Sequence, residues 1–164
     1  DIDNIFYYEI NATDAFDSVP DYVPAEWKEH LGKRLKDVPS PDGKAKNYAI
    51  YFADEYTKAL NDSKYSATYY VSSEKYEAGE YDKYIKLALD NKDRIREIYR
   101  EVSGSQKNED WYPCQVICDN CGHMIYQGME LRYVNDVVKS NNGKCRSCNS
   151  AFSKREFKTE IIRK

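Results

Sequence analysis

The sequence predicts an α/β part followed by a small part stapled by a metal ion, and three observations carry that reading. Near the amino terminus Ile2, Ile5, Phe6, Tyr7, Tyr8 and Ile10 form an almost continuous apolar run, the pattern of a strand covered on both faces in a parallel sheet. Further along, apolar residues fall into helical spacing and then return to a β-branched and aromatic run, an order that belongs to an α/β part. Towards the carboxyl end, Cys118-Asp119-Asn120-Cys121 and Cys145-Arg146-Ser147-Cys148 make two Cys-x-x-Cys knuckles, which together supply the four thiolates of a closed tetrahedral zinc site.

The elements follow in order. The first strand ends in Asn11-Ala12-Thr13-Asp14-Ala15-Phe16-Asp17, polar and acidic residues at the place where open α/β sheets bind ligands; an ordinary capped loop is the alternative. Pro20 and Pro24 break the chain, Pro24 suits the first position of a short helix through Leu31, and Pro39, Pro41 and Gly43 mark a loop. A helix is expected from about Ala45 to Leu60, with Tyr48, Ala49, Phe52, Tyr56 and Leu60 along one side, then a strand from Tyr65 to Ser72. The clearest helical stripe runs from Gly79 to Val102 and stops at Gly104; Lys92, Arg94, Arg96 and Arg100 read as its solvated side. The polar stretch Ser103 to Asp110 is a natural boundary, dividing residues 1–105 from a zinc-ribbon part at 106–164. In the latter, short strands near Gln115–Ile117, Met124–Gln127, Glu130–Val134 and Phe157–Ile162 surround the knuckles, with Gly122, Gly128 and Gly143 at turns.

Paired disulfides are the competing reading of Cys118, Cys121, Cys145 and Cys148. The i, i+3 spacing suits a metal better, and nothing resembles a leader directing the chain to an oxidising compartment. Four thiolates leave no open position, so the zinc is expected to hold shape and not to activate water. Cys114 reads as a small buried apolar residue, and His123 as a neighbour of the site, not a ligand.

Formal net charge is −3 and charged residues make up 32%, which argues against a basic nucleic-acid clamp and for a soluble, cytoplasmic protein. The charge is uneven. The segment before Ser40 is acidic, whereas Lys139, Lys144, Arg146, Lys154, Arg155, Lys158, Arg163 and Lys164 face only Glu156 and Glu160 at the end of the chain. Lys144, Arg146, Lys154 and Arg155 are therefore candidate RNA contacts beside the knuckles. The chain begins at Asp1 and enters at once on an apolar run, as a piece of something longer would. A P-loop, a G-x-G-x-x-G fingerprint, a G-x-S-x-G elbow and an H-E-x-x-H pair are all absent, and two histidines give a histidine-based triad few places to come from.

Several stretches taken together resemble the archaeal-type class I lysyl-tRNA synthetases. They are Ser73-Glu74-Lys75-Tyr76-Glu77-Ala78-Gly79-Glu80-Tyr81, Tyr84-Ile85, Ala88-Leu89, Arg94-Ile95-Arg96-Glu97-Ile98-Tyr99-Arg100, Trp111-Tyr112-Pro113 and Cys118-x-x-Cys121-Gly122. Upstream, Asp14-Ala15-Phe16-Asp17 with Val19-Pro20 is similar to that family's Asp-Asp-aromatic-Asp segment, with Ala15 in an acidic position, and Asn47-Tyr48-Ala49 is similar to its Ser-Tyr-Ala segment. The resemblance implies part of a Rossmann-type class I synthetase catalytic domain, a helical connecting insertion and a zinc subdomain near the tRNA acceptor end. It implies a parent that uses ATP to join lysine to tRNA, with Asp14 and Asp17 bordering the active-site cleft. The His-x-Gly-His and Lys-Met-Ser-Lys-Ser signatures that hold ATP in the family are missing; His30-Leu31-Gly32-Lys33 lacks the second histidine. The fragment alone is therefore expected to be inactive. The alternative is a stand-alone, noncatalytic zinc-ribbon module that binds RNA or a protein partner.

Overall fold

The computed structural model describes residues 5–65, 67–109, 111–125, 131–134, 137–140, 145, 147–150 and 155–156. It divides into two units, Asp1–Ala78 and Gly79–Lys164.

The first unit is built on two parallel strands, β1 (Tyr7–Ile10) and β2 (Thr68–Val71), in register from Tyr7 opposite Thr68 to Ile10 opposite Val71. Parallel neighbours cannot be joined by a tight turn, and the connection between them carries helix α1 (Tyr48–Asp62). Asn47 starts α1: its backbone is extended and its side-chain oxygen accepts the Ile50 N–H at 3.0 Å, satisfying one of the donors a helix leaves orphaned at its first turn. Ala49 and Ala53, one helical turn apart, are the buried positions. Tyr56 continues that side and stacks on Tyr8 of β1 with ring centroids 4.6 Å apart. Phe52 points elsewhere, joining Tyr22, Tyr48 and Tyr51 in a half-exposed aromatic group.

β1 is parallel as expected, yet its burial alternates between exposed and half-buried, and Ile5, Phe6 and Tyr7 are exposed. Two strands and one helix do not supply enough surface to cover both faces. The expected helix after Pro24 forms as a 3-10 helix over Ala25–His30. After β1 the chain runs beside residues 32–36: Lys36 N–H donates to Ala12 O, Leu35 N–H to Asp14 O, Phe16 N–H to Lys33 O and Gly32 N–H to Phe16 O. This ladder buries Ala12 and Phe16, the latter against Trp27 and Tyr48. Ser72 ties the strand ends together, its hydroxyl receiving the Ala12 N–H at 3.1 Å and donating to Ile10 O at 3.2 Å. It opens a short helix, α2 (Ser72–Glu77), whose Glu77 pairs with Lys36 and Arg34.

In the second unit the single helix expected from Gly79 to Val102 is two: α3 (Asp82–Asp90) and α4 (Lys92–Ser103). Asn91 marks the break, its backbone turned to φ −108° and ψ 20°. Its side-chain amide donates to Leu87 O at 2.8 Å, the same carbonyl that its backbone N–H takes at 3.2 Å. Gly104 ends α4 with φ 68°, the left-handed conformation that glycine adopts without steric cost. Three basic residues of α4 are held locally, Arg94 by Glu97 and Glu101, Arg96 by Asp93, and Lys92 by Asp93. Leu89 of α3 is fully buried, and Ile85, Tyr112, Cys114 and Val116 pack on it.

Three antiparallel pairings follow. β3 (Val116–Ile117) pairs with β4 (Met124–Ile125), β5 (Leu131–Val134) with β6 (Val137–Ser140), and β6 with β7 (Arg155–Glu156). β6 has no counterpart among the expected strands, because Val137 and Val138 are followed at once by polar residues. The expected strand at Phe157–Ile162 lies outside the described residues.

Candidate metal centre

Leu89 and its neighbours anchor the segment that leads into the first knuckle. Tyr112, Cys114 and Val116 lie on Leu89, and β3 delivers the chain directly to Cys118. Burial raises the Cys114 thiol to about 11, so this cysteine is an apolar packing residue and stands apart from the array of four.

The two knuckles share one backbone design. In the first, Gly122 N–H donates to Cys118 O at 2.8 Å and Cys118 N–H to His123 O at 3.0 Å; in the second, Asn149 N–H donates to Cys145 O at 2.8 Å and Cys145 N–H to Ser150 O at 2.9 Å. The turn needs a left-handed residue directly after the second cysteine. Gly122 has φ 71° and Asn149 has φ 58°, the two residue types that reach this region most readily. Gly122 stands out in the sequence as a turn residue. Asn149 was missed, although its position after Cys148 matches that of Gly122 after Cys121.

These turns bring four sulfurs together, all within 4.8 Å of one another. Across the knuckles, Cys118 Sγ is 3.7 Å from Cys148 Sγ and Cys121 Sγ is 3.7 Å from Cys145 Sγ. A tetrahedron with metal–sulfur bonds of about 2.3 Å has edges of about 3.8 Å, so the spacing fits a four-thiolate shell. The same distances are far beyond a sulfur–sulfur bond of about 2.05 Å, and all the cysteines are free. Cys118 and Cys145 are buried, Cys121 and Cys148 half-buried. Soft thiolates in closed tetrahedral geometry are compatible with zinc.

Neighbouring donors favour charge on part of the array. The Ser150 hydroxyl, then the Asn120 amide and the Ser150 N–H, draw Cys148 well below the ordinary thiol range. Burial pushes Cys118 up, but the Ser150 hydroxyl and the N–H groups of Cys121 and Asn120 outweigh it and leave it lowered. Burial raises Cys121. His123 turns away, its Nδ1 lying 3.3 Å from Cys121 O.

Asp14 and Asp17 follow the carboxyl end of β1 with exposed side chains; Asp14 Oδ1 accepts the Ala15 N–H and Asp17 Oδ1 the Ser18 hydroxyl, both at 3.1 Å. Lys144, Arg146 and Lys154 lie outside the described residues, and Arg155 is in β7, opposite Val138. Among the described residues no helix is long and apolar enough to cross a membrane.

Comparison with known proteins gives a consistent result. A family model described as tRNA synthetases class I (K) matches residues 5–152. The lysine-tRNA ligase of Methanocaldococcus jannaschii is 35% identical over 103 residues, 63% of this chain and 19% of that protein. That of Thermococcus kodakarensis is 39% identical over 112 residues, 66% of this chain and 21% of that protein. That of Methanosarcina barkeri is 34% identical over 119 residues, 73% of this chain and 22% of that protein. The chain spans about a fifth of the length of these curated relatives.

Proposed function

The chain belongs to the class I tRNA synthetases (K), and from that membership we propose that it serves as the middle portion of a lysine-tRNA ligase. The observation that carries this reading is the match of one family model to residues 5–152, a span that holds all four clustered cysteines and both candidate aspartates. In the parent, a carboxylate oxygen of lysine attacks the α-phosphorus of ATP, giving lysyl-adenylate and pyrophosphate. A hydroxyl of the tRNA's terminal ribose then attacks the adenylate's carbonyl carbon, and AMP leaves.

The residues of this chain have supporting roles in that scheme. β1 and β2, parallel neighbours joined through α1, suit a Rossmann-type sheet, and the exposed Ile5, Phe6 and Tyr7 suit a strand that the rest of the parent covers. Asp14 and Asp17 stand just past the carboxyl end of β1, where such sheets bind ligands; we assign them to the border of the cleft. Residues 106–164 form the zinc-bearing part, with Cys118, Cys121, Cys145 and Cys148 as ligands. Four thiolates close the coordination sphere, so zinc ties the β3–β4 hairpin to residues 145–150 and does no chemistry on the substrate. Lys144, Arg146, Lys154 and Arg155 are assigned to salt-sensitive contacts with tRNA phosphates near the acceptor end.

The test is to express the complete open reading frame that contains these residues and, beside it, this chain alone. The full product is expected to catalyse lysine-dependent exchange of pyrophosphate into ATP and to charge tRNA with lysine. The chain alone is expected to bind one zinc and to show no exchange. A full product that activates no amino acid refutes the ligase reading and leaves the noncatalytic binding module in its place.

A further inference from the structure

We propose that Ser150 and Asn120 are positioning residues that hydrogen-bond the metal-bound Cys148 thiolate, Ser150 from its own knuckle and Asn120 from the other, an inference that rests on the zinc reading above. The knuckles have equivalent backbones and different side chains. Ser150 occupies the place in the second knuckle that His123 occupies in the first, yet His123 faces the Cys121 carbonyl while the Ser150 hydroxyl faces sulfur. That hydroxyl lies 2.9 Å from Cys148 Sγ and 3.5 Å from Cys118 Sγ, and its single proton goes to the nearer sulfur, Cys148. Asn120 makes the reciprocal reach, its Nδ2 lying 3.5 Å from Cys148 Sγ. Cys148 therefore takes one side-chain donor from its own knuckle and one from the other.

The chemistry sets the direction of these bonds. A thiolate bound to a metal has no proton to give, so the serine O–H and the asparagine N–H must donate. Four thiolates on one divalent cation leave the site with a net charge of about −2, and donors directed at sulfur offset that charge where the half-buried Cys148 has incomplete access to water. Groups that orient and hydrogen-bond metal ligands typically change metal affinity by about 10- to 100-fold when removed.

The experiment measures Zn²⁺ affinity of this chain by competition with a chromophoric chelator, and the spectrum of the Co²⁺ form. Ser150→Ala is expected to weaken Zn²⁺ about tenfold, Asn120→Ala less, and Ser150→Thr, which keeps the hydroxyl, to restore most of the loss. In the Co²⁺ form, Ser150→Ala should move the thiolate-to-cobalt charge-transfer band to longer wavelength, because a lost hydrogen bond raises the sulfur lone pair. The tetrahedral d–d bands should stay in place, which a general loosening of the fold would not produce. Affinity and band position unchanged in Ser150→Ala, or a threonine variant as weak as the alanine one, would overturn the proposal. Failure of the unmodified chain to bind Zn²⁺ or Co²⁺ would instead overturn the zinc reading on which it stands.

Discussion

His30 sits edge-on to Trp27 with ring centroids 5.6 Å apart, and its Nδ1 lies 3.2 Å from Lys33 Nζ. An ammonium group can only donate, so Nδ1 must keep its lone pair and the imidazole must be neutral. Burial, and after it Lys33, hold its pKa below the ordinary 6.5, with Glu29 opposing in part. The unfolded chain therefore binds the proton more readily, and stability is present above pH 6.5 and lost as the pH falls below it. Urea unfolding at pH 7 and pH 5.5 should show the first unit weakening at the lower pH and His30→Gln removing part of that drop; equal drops in the two proteins would show that His30 plays no part. Other single residues differ in how openly they declare themselves. Gly122 was legible because a glycine after Cys-x-x-Cys has an obvious turn role. Asn149 was not, because asparagine is also an ordinary loop residue, and only its φ of 58° shows that it takes the glycine's place.

Capping chemistry decided where the elements begin and end. The helix expected from about Ala45 starts at Tyr48, because Asn47 is extended and caps Ile50. Asn47→Ala should lower the stability of the first unit by about 1 kcal/mol, read from denaturant unfolding with an unchanged slope; a loss within error of zero would mean that tertiary contacts alone hold the first turn. The long helical stripe breaks at Asn91, where the backbone turns to φ −108° and ψ 20° while side-chain and backbone N–H both take the Leu87 carbonyl. Periodicity records the apolar stripe on both sides of the break and passes over the break itself, since a stripe is blind to the backbone angles of one residue. β6 escaped notice for a related reason: a four-residue strand is specified by its pairing with β5 and β7, and isolated valines do not announce partners.

At the scale of the molecule, the four-cysteine array joins segments that the chain leaves apart. Cys145→Ser removes a buried thiolate and should release zinc and raise hydrogen exchange across 114–125 and 145–150, with 5–65 as protected as before. A variant that kept stoichiometric zinc and full protection would refute the four-thiolate assignment. Sequence by itself determined the doubled Cys-x-x-Cys spacing, the apolar run of β1, the β-branched and aromatic run of β2, the apolar stripes of α1 and of α3–α4, the stop at Gly104 and the resemblance to a synthetase family. In each, the physical information lies within one turn of helix, one strand or one knuckle, where near neighbours in sequence are near neighbours in space. Only the tertiary structure decided the parallel register of Tyr7 on Thr68, the ladder of residues 12–16 along 32–36, the Ser72 tie between strand ends and the Asn120 amide on the sulfur of Cys148. Those contacts join residues far apart in the chain, and each exists because the burial and hydrogen bonding of the assembled unit offset the entropy of bringing its segments together.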